Sequence, residues 1–253
     1  MSEGDTASVT VTFAGSGDAF GSGGRLQACI HLSADANTGV LLDCGATSLI
    51  ALAWQGIDPN TIATVFVSRM HVDHFGGIPQ LILDGQFRRR TAPLTVAGPQ
   101  GLAARLTDAM EVMFPGSSTV RRRFGVYVIE LDPADPPRVI GSVTVQAGRP
   151  RYCGRPVPRA ARRASAAEPS PTPATRAWTD TLIDVADGTD LLIAEAYFWD
   201  KPVPYHLRHA DPVEHRTQIT SARTILTHMS TDMLAHAGAA EFELAHDGLT
   251  INL

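Results

Sequence analysis

The sequence predicts a mixed α/β fold in a single domain spanning residues 1–253. Short apolar runs rich in β-branched residues recur along the chain, and several are bounded by Gly, Pro or Asp, as is typical of strands. Segments with helical spacing of apolar residues lie between these runs. With 253 residues, 44% of them hydrophobic, the chain is long enough to bury a sizeable core.

Eight segments share the apolar, β-branched composition that predicts strands. They are 8–13, 39–43, 63–68, 93–97, 126–131, 139–146, 189–196 and 223–228. Four further segments are predicted to be helices from their apolar spacing or from a preceding turn, the last beginning at Thr231 or Asp232. They are 46–55, 78–86, 101–113 and 231–240.

Two segments lack such periodicity. The stretch 149–176 is rich in Pro, Ala, Arg and Ser, which predicts a mobile loop at about 152–176. The glycine-rich stretch AGSGDAFGSGG at 14–24 has neither the Gly-Lys-Ser/Thr ending of a phosphate-binding loop nor the spacing of a dinucleotide-binding fingerprint. It is therefore predicted to be a tight turn between strands.

Charge and composition restrict the partners. A net charge of −5 and a pI near 6.0 argue against a broad nucleic-acid-binding surface, although a local basic groove is compatible with them. The arginine triplets at 88–90 and 121–123 are predicted to be solvated surface. Neither a signal peptide nor a membrane span is indicated, and three scattered cysteines agree with a reducing compartment. These features predict a cytoplasmic protein without a membrane partner.

A candidate metal-binding loop reads VSRMHVDHFGG at positions 67–77. His71, Asp73 and His74 follow a predicted strand, and a bent loop lets such side chains converge on one ion. The two glycines at 76 and 77 are predicted to allow a sharp exit from the loop. Because isolated His and Asp residues are more often surface or hydrogen-bonding groups, further ligands are required.

Two such ligands are available. Asp180 lies in WTDT, and His228 ends the apolar run TILTH, so each is expected to project from the edge of a buried sheet. With Asp73 and His74 they make a shell of two histidines and two carboxylates. This set predicts one divalent ion, with zinc as the first candidate and manganese or iron as alternatives.

The order of motifs along the chain resembles the metallo-β-lactamase superfamily and, within it, the ribonuclease Z-like hydrolases. The motifs are GSGDAFGSGGR at 15–25, LLDCG at 41–45, VSRMHVDHFGG at 67–77, VAGPQG at 96–101, WTDT at 178–181, DLLIAEAYF at 190–198 and ILTHMS at 225–230. The resemblance implies a four-layer αββα sandwich with a metal site at one end of its two sheets. It also implies a possible homodimer.

The resemblance implies that only one of the family's two metal sites is complete. Family members carry His-x-His-x-Asp-His in the loop, and the second site is complete here as Asp73, His74, Asp180 and His228. In the first site Arg69 and His71 stand at the loop histidines, and Arg151 aligns with the later histidine, given Gly154 and Pro156. No histidine lies between His74 and His206, so the loss does not depend on this alignment.

Arginine has no acceptor atom and stays protonated, so it cannot ligate a metal. Two arginines carry about the charge of the divalent ion that they would replace. Arg69 and Arg151 are therefore predicted to hold Asp180 and to bind a carboxylate or phosphate of the substrate. This replacement predicts at most one tightly bound ion per chain. The competing interpretation is that the site has eroded and that the protein is a pseudoenzyme.

Glu195 in AEAYF and His206 in YHLRH resemble the Glu and His that family members use in proton transfer to the leaving group. Alternatively, Glu195 is a buried partner of His206 or of an arginine, and His206 makes a hydrogen bond at a sheet edge. His71 is interpreted as a metal neighbour, a general base or a hydrogen-bond partner of the arginines, and Asp73 or His71 is predicted to handle a proton.

The leading hypothesis is a metal-dependent hydrolase acting on a small anionic ester, lactone, thioester or phosphodiester. A nucleic-acid substrate is not expected, because the chain is acidic and shows no extended basic, Gly- and Pro-rich arm. Two alternatives remain open: a non-hydrolytic lyase or cyclase on the same fold, and a catalytically inert pseudoenzyme or scaffold.

Overall fold

A computed structural model describes residues 8–34, 38–148, 151–156, 164–167, 181–204 and 206–253, with backbone alone at 151–156 and 164–167. In this part of the chain there are fourteen strands: β1 Thr10–Gly15, β2 Cys29–Ser33, β3 Gly39–Leu42, β4 Ile62–Phe66, β5 Leu94–Pro99, β6 Val126–Leu131, β7 Arg138–Ile140, β8 Val143–Gly148, β9 Arg151–Pro156, β10 Ala164–Ala167, β11 Leu191–Glu195, β12 Arg223–Thr227, β13 Glu243–Leu244 and β14 Leu249–Asn252. The α-helices are α1 Ser48–Trp54, α2 Val72–Phe75, α3 Ile78–Phe87, α4 Leu102–Met113, α5 Thr181–Ala186, α6 Ala210–Glu214 and α7 Thr231–Ala235.

The strands form two seven-stranded sheets. The first has the order β14-β1-β2-β3-β4-β5-β6 and the second the order β13-β12-β11-β10-β9-β8-β7. Strands β3 to β6 run parallel in the first sheet, and β10 to β13 run parallel in the second. The carboxyl ends of each parallel set therefore lie at one edge of its sheet, where loops that carry ligands can gather.

Three separate apolar clusters show how the layers stack. The largest contains residues of both sheets, such as Phe13 and Ile193, so the sheets pack face to face. A second joins the outer face of the first sheet to α1, α3 and α4. A third joins the outer face of the second sheet to α5 and α7. Three interfaces make four layers, which confirms the αββα sandwich; the single-domain organisation stays a prediction.

Several predicted elements need correction. The segment 139–146 is two strands, β7 and β8, because Gly141 takes a φ of 59° and turns the chain between them. The helix predicted over 231–240 ends at Ala235, and β2 was missed because Cys29 and His31 interrupt the β-branched pattern. No described helix is both long and apolar enough to cross a membrane.

The loop predicted at about 152–176 is wrong where β9 and β10 occur. Strand β9 pairs antiparallel with β8 and with β10, and β10 runs parallel to β11. Backbone pairing with neighbouring strands defines these two elements, so their Pro- and Ala-rich sequence contains no signal for them. Residues 157–163 and 168–176 of the predicted loop lie outside the described part of the chain.

Arg90 is a buried structural residue, contrary to the prediction of solvated surface for 88–90. Its side chain is only 4% exposed. The guanidinium donates to four backbone carbonyl oxygens, those of Ala92 (2.7 Å), Pro59 (3.2 Å), Ile62 (2.5 Å) and Pro93 (2.8 Å). Arg90 thus ties the turn before β4 to the turn before β5.

We expect Arg90→Ala to lower the free energy of unfolding by about 2–4 kcal/mol, because buried carbonyl oxygens lose their donor. Urea denaturation followed by circular dichroism measures the change. The matched control is Arg88→Ala, which removes an exposed ion pair with Asp84 and should cost about 0.5 kcal/mol or less. Equal effects of the two substitutions would contradict the structural role of Arg90.

Candidate metal centre

The candidate site lies where strands of both sheets end. Asp43 follows β3 and His228 follows β12, and both have positive φ, 62° and 61°. Such backbone is strained for residues other than glycine and is common at functional sites. The amide of His228 donates to Ser16 O at 3.1 Å, which joins this turn to the glycine-rich loop of the first sheet.

The loop after β4 carries the next two site residues into the same place. Asp73 and His74 lie in the short helix α2, and His74 O accepts from the amide of Cys44 at 2.7 Å. Gly77 has a φ of −84°, so it makes no unusual turn. A Cβ there would lie 2.2 Å from Gly45 O, so a glycine is needed for the close packing of the two backbones. The prediction that Gly77 makes a sharp exit from the loop is therefore wrong.

Three donor atoms converge among these residues. Asp73 Oδ2 lies 3.0 Å from His74 Nε2 and 2.9 Å from His228 Nε2. The two Nε2 atoms are 3.2 Å apart. All three residues are buried, with exposures of 1–4%. Burial raises the pKa of Asp73, but its hydrogen bonds with the two histidines outweigh that effect and hold the pKa well below its usual range.

Asp43 orients one of these ligands and was missed by sequence reasoning. Its Oδ2 lies 2.7 Å from His74 Nδ1, so Asp43 can hold the proton on Nδ1 and leave Nε2 to ligate an ion when one is bound. Ser68 holds the carboxylate through its amide at 2.7 Å and its hydroxyl at 2.8 Å. The only sequence signal for Asp43 is its place at the end of a predicted strand, in LLDCG.

The donor set fits one divalent ion. One carboxylate oxygen and two imidazole nitrogens are donors that zinc accepts, and their separations of 2.9–3.2 Å approach the edge of about 3.3 Å in a tetrahedral zinc shell. Asp73, His74 and His228, three of the four predicted ligands, are thus brought together. The fourth, Asp180, lies outside the described residues.

Arg69 lies against this donor set. Its Nη2 is 2.8 Å from His228 Nε2 and 3.9 Å from Asp73 Oδ2, and its Nη1 is 3.5 Å from Glu195 Oε2. The side chain is only 18% exposed. The guanidinium has only donors, so it and an ion would compete for the lone pair of His228 Nε2.

Glu195 and His206 form a second group beside the first. Glu195 is 2% exposed, and His206 Nδ1 makes a short hydrogen bond to its Oε1. Burial raises the pKa of Glu195, but the positive charges or hydrogen bonds of His228, His206 and Arg69 outweigh it and lower the pKa. Glu195, His206 and His228 also have the spacing of a metal site. The guanidinium of Arg69 opposes a cation at either set, since it lies 3.5 Å from Glu195 Oε2 and 2.8 Å from His228 Nε2.

Aromatic stacking links the two groups. The ring centroids of His74 and His228 are 5.1 Å apart, and those of His228 and His206 are 5.8 Å apart. The ring of Tyr197 lies 4.3 Å from that of His206. Sequence reasoning missed Tyr197, for which the only signal is its position two residues after Glu195.

The remaining predicted site residues are not part of the donor set. His71 is exposed and belongs to neither group of possible ligands. The protein atoms around it still remove part of its hydration, and this partial desolvation, followed by the charge of Arg69, lowers its pKa. Arg151 lies in β9 opposite Gly148, where the backbone alone is described. The predicted roles of His71 and Arg151 therefore stay predictions.

Comparison with known proteins gives matches over part of the chain. Residues 9–113 match the family model described as Anti-Pycsar protein Apyc1. The chain is 30% identical over 134 residues to ribonuclease Z of Methanococcus maripaludis strain C7, which covers 53% of this chain and 41% of that protein. The alignments span about two fifths of the length of such relatives.

Solved structures match almost the whole chain in fold. The metallo-β-lactamase fold protein YhfI from Bacillus subtilis has a TM-score of 0.74 at 17% identity, covering 98% of this chain and 100% of that one. Human tRNase Z, short form, has a TM-score of 0.72 at 22% identity, covering 96% and 98%. Zn²⁺-bound PqqB from Methylobacterium extorquens has a TM-score of 0.71 at 16% identity, covering 96% and 100%.

The two stacked sheets and the outer helices give this chain the fold of these metallo-β-lactamase fold proteins. Over about half of its length the chain is also similar in sequence to ribonuclease Z. The resemblance inferred from the motifs is therefore confirmed, while the degeneracy of the first metal site stays a prediction. These relatives are named ribonuclease Z. The comparison therefore does not support the expectation that nucleic acid is not a partner.

Proposed function

We propose that this chain is a hydrolase that holds one divalent ion, with zinc as the first candidate, and cleaves a small anionic ester, lactone, thioester or phosphodiester. The convergence of Asp73, His74 and His228 is the single observation that carries the proposal, because three buried donors share one point. Asp180 is proposed as the fourth ligand. A cytoplasmic location and a homodimer stay predictions from sequence.

When bound, the ion would polarise a carbonyl or phosphoryl oxygen and lower the pKa of a coordinated water. The protein supplies the remaining functions. Asp43 holds His74 in the tautomer that ligates. His206 is proposed to protonate the leaving group: none of the hydrogen bonds among the described residues uses its Nε2, and its side chain is 27% exposed. Glu195 orients His206 through Nδ1.

Arg69 is proposed to replace the charge of the lost first metal. Its guanidinium lies within 4 Å of both Asp73 and Glu195, where a second cation would otherwise offset their charge. The fixed donors can stabilise negative charge that develops on the substrate. Arg151 is proposed to assist by binding an anionic group of the substrate.

Metal content and turnover test this function together. Purified protein is expected to hold about one equivalent of zinc, to lose hydrolysis with a chelator and to regain it with one equivalent of metal. The substrates are bis(4-nitrophenyl) phosphate, a lactone, a thioester and a precursor transfer RNA. Two equivalents of metal, one of them dependent on His71, would contradict the one-ion site.

Isotope labelling separates hydrolysis from the lyase or cyclase alternative. In H₂¹⁸O a hydrolase places one ¹⁸O atom in its products, whereas elimination or cyclisation places none. One observation favours the inert alternative, since Arg69 pairs with acceptor atoms of the site that an ion would also need. Protein with neither bound metal nor turnover would support that alternative.

A further inference from the structure

Tyr197 lies where the segments that carry His206 and His228 meet. Its amide donates to Leu207 O at 2.8 Å, beside His206. Its carbonyl oxygen accepts from the amide of Ser230 at 3.0 Å and from the Ser230 hydroxyl at 2.5 Å, two residues after His228. The backbone of Tyr197 therefore joins its own segment to those of Leu207 and Ser230, which lie 10 and 33 residues further along the chain.

The side chain of Tyr197 covers one face of His206. The two rings are 4.3 Å apart and inclined by 25°, which is a stacked arrangement. Phe198 packs edge-on against Tyr197 at 4.8 Å and 85°, and His228 lies 5.8 Å from it. The tyrosine ring is thus held by neighbours on more than one side, so it provides a fixed surface for the imidazole.

Two contacts together determine the orientation of His206. The hydrogen bond from Nδ1 to Glu195 fixes one edge of the ring, but rotation about that bond would still swing Nε2 through an arc. Stacking on Tyr197 removes this freedom, because rotation would drive the imidazole into the phenol ring. A proton donor must point at the departing oxygen, so this orientation affects catalysis directly.

We propose that Tyr197 is a positioning residue that clamps the imidazole of His206 for proton transfer to the leaving group. This inference rests on the proposed hydrolase function. The aromatic ring is the working part of the side chain, since no hydrogen bond among the described residues involves the tyrosine hydroxyl. Phenylalanine at this position should therefore keep the effect, and leucine should lose it.

Two phosphodiesters that differ in leaving group test the clamp. Bis(4-nitrophenyl) phosphate releases 4-nitrophenolate, which departs without a proton, whereas methyl 4-nitrobenzyl phosphate must release an alkoxide. For Tyr197→Leu we expect kcat to fall about 10²-fold on the alkoxide substrate and less than about threefold on bis(4-nitrophenyl) phosphate, with KM unchanged. His206→Ala should show the same larger loss on the alkoxide substrate. Tyr197→Phe, which keeps an aromatic ring, should have the kcat of the unsubstituted protein on both substrates. An equal loss on both substrates, or no loss on either, would overturn the proposal.

A measurement that needs no catalytic turnover tests this inference separately from the proposed function. In ¹H–¹⁵N spectra of protein with labelled histidine, the His206 Nδ1 proton bonded to Glu195 should give a downfield signal. That signal should persist in Tyr197→Phe and broaden or vanish in Tyr197→Leu. If the unsubstituted protein cleaves neither substrate, the proposed function fails for phosphodiesters, and an unchanged signal in Tyr197→Leu would independently overturn the clamp.

Discussion

Arg69→Ala should bind zinc at least about tenfold more tightly than the unsubstituted protein and yet lose about 10²-fold or more in kcat/KM. A guanidinium about 4 Å from a divalent ion opposes it by about 8 kcal/mol at an effective dielectric near 20, before screening. Removing Nη2 also frees the lone pair of His228 Nε2, 2.8 Å away. Activity falls because fixed donors for negative charge are lost. Competition with a fluorescent chelator and steady-state kinetics measure the two effects.

The opposite directions of these effects distinguish a lost charge from a damaged fold, which would weaken both properties. Arg69→Lys is the matched variant, because it keeps the charge without the planar fork. It should keep zinc affinity near the unsubstituted value while still reducing activity. A zinc affinity that is unchanged or weaker in Arg69→Ala would show that the guanidinium does not oppose the ion.

Asp73→Asn should weaken zinc binding by more than about 10²-fold and reduce hydrolysis to near background. Loss of even a supporting partner of a metal ligand costs about 10–100-fold in affinity, and Asp73 is proposed as a ligand itself. Its Oδ2 also lies against the Nε2 atoms of both imidazoles, at 2.9 and 3.0 Å. Calorimetric titration with zinc and the hydrolysis assay measure the losses.

Asp108→Asn is the matched control for this substitution. It makes the same chemical change on the exposed side of α4 and should leave both zinc affinity and hydrolysis unchanged. If Asp73→Asn bound zinc as tightly as the control, the ion would have to lie elsewhere in the protein. Near-ultraviolet circular dichroism of both variants checks that each one folds.

Much of the fold followed from the sequence because its elements are locally consistent. Helix α4 shows apolar residues at helical spacing, and strand β6 coincides with the predicted segment 126–131. Strands β9 and β10 were missed because pairing between neighbours forms them and their own residues have little preference for strand. The hairpin between β7 and β8 depends on the backbone of one glycine, Gly141.

The site residues also fall into those that the sequence predicted and those that it did not. Asp73, His74, Glu195 and His228 were predicted because each stands in a recognisable motif at or just after the end of a predicted strand, whereas His206 was predicted from the family resemblance alone. Asp43 and Tyr197 were missed, since their roles depend on contacts with residues far away in the sequence. Asp43 is 31 positions from His74, and only the parallel pairing of β3 with β4 brings the loops that follow these strands together.

The sequence by itself determined which side chains are able to bind a metal. No histidine lies between His74 and His206, and Arg69 cannot ligate, because these are properties of covalent structure. Only the tertiary structure decided where the guanidinium of Arg69 lies, between His228 and Glu195 and not in solvent. The direction of a side chain depends on the backbone that carries it and on the groups around it. Here the positive φ of His228 and the face-to-face packing of two sheets place these three residues together.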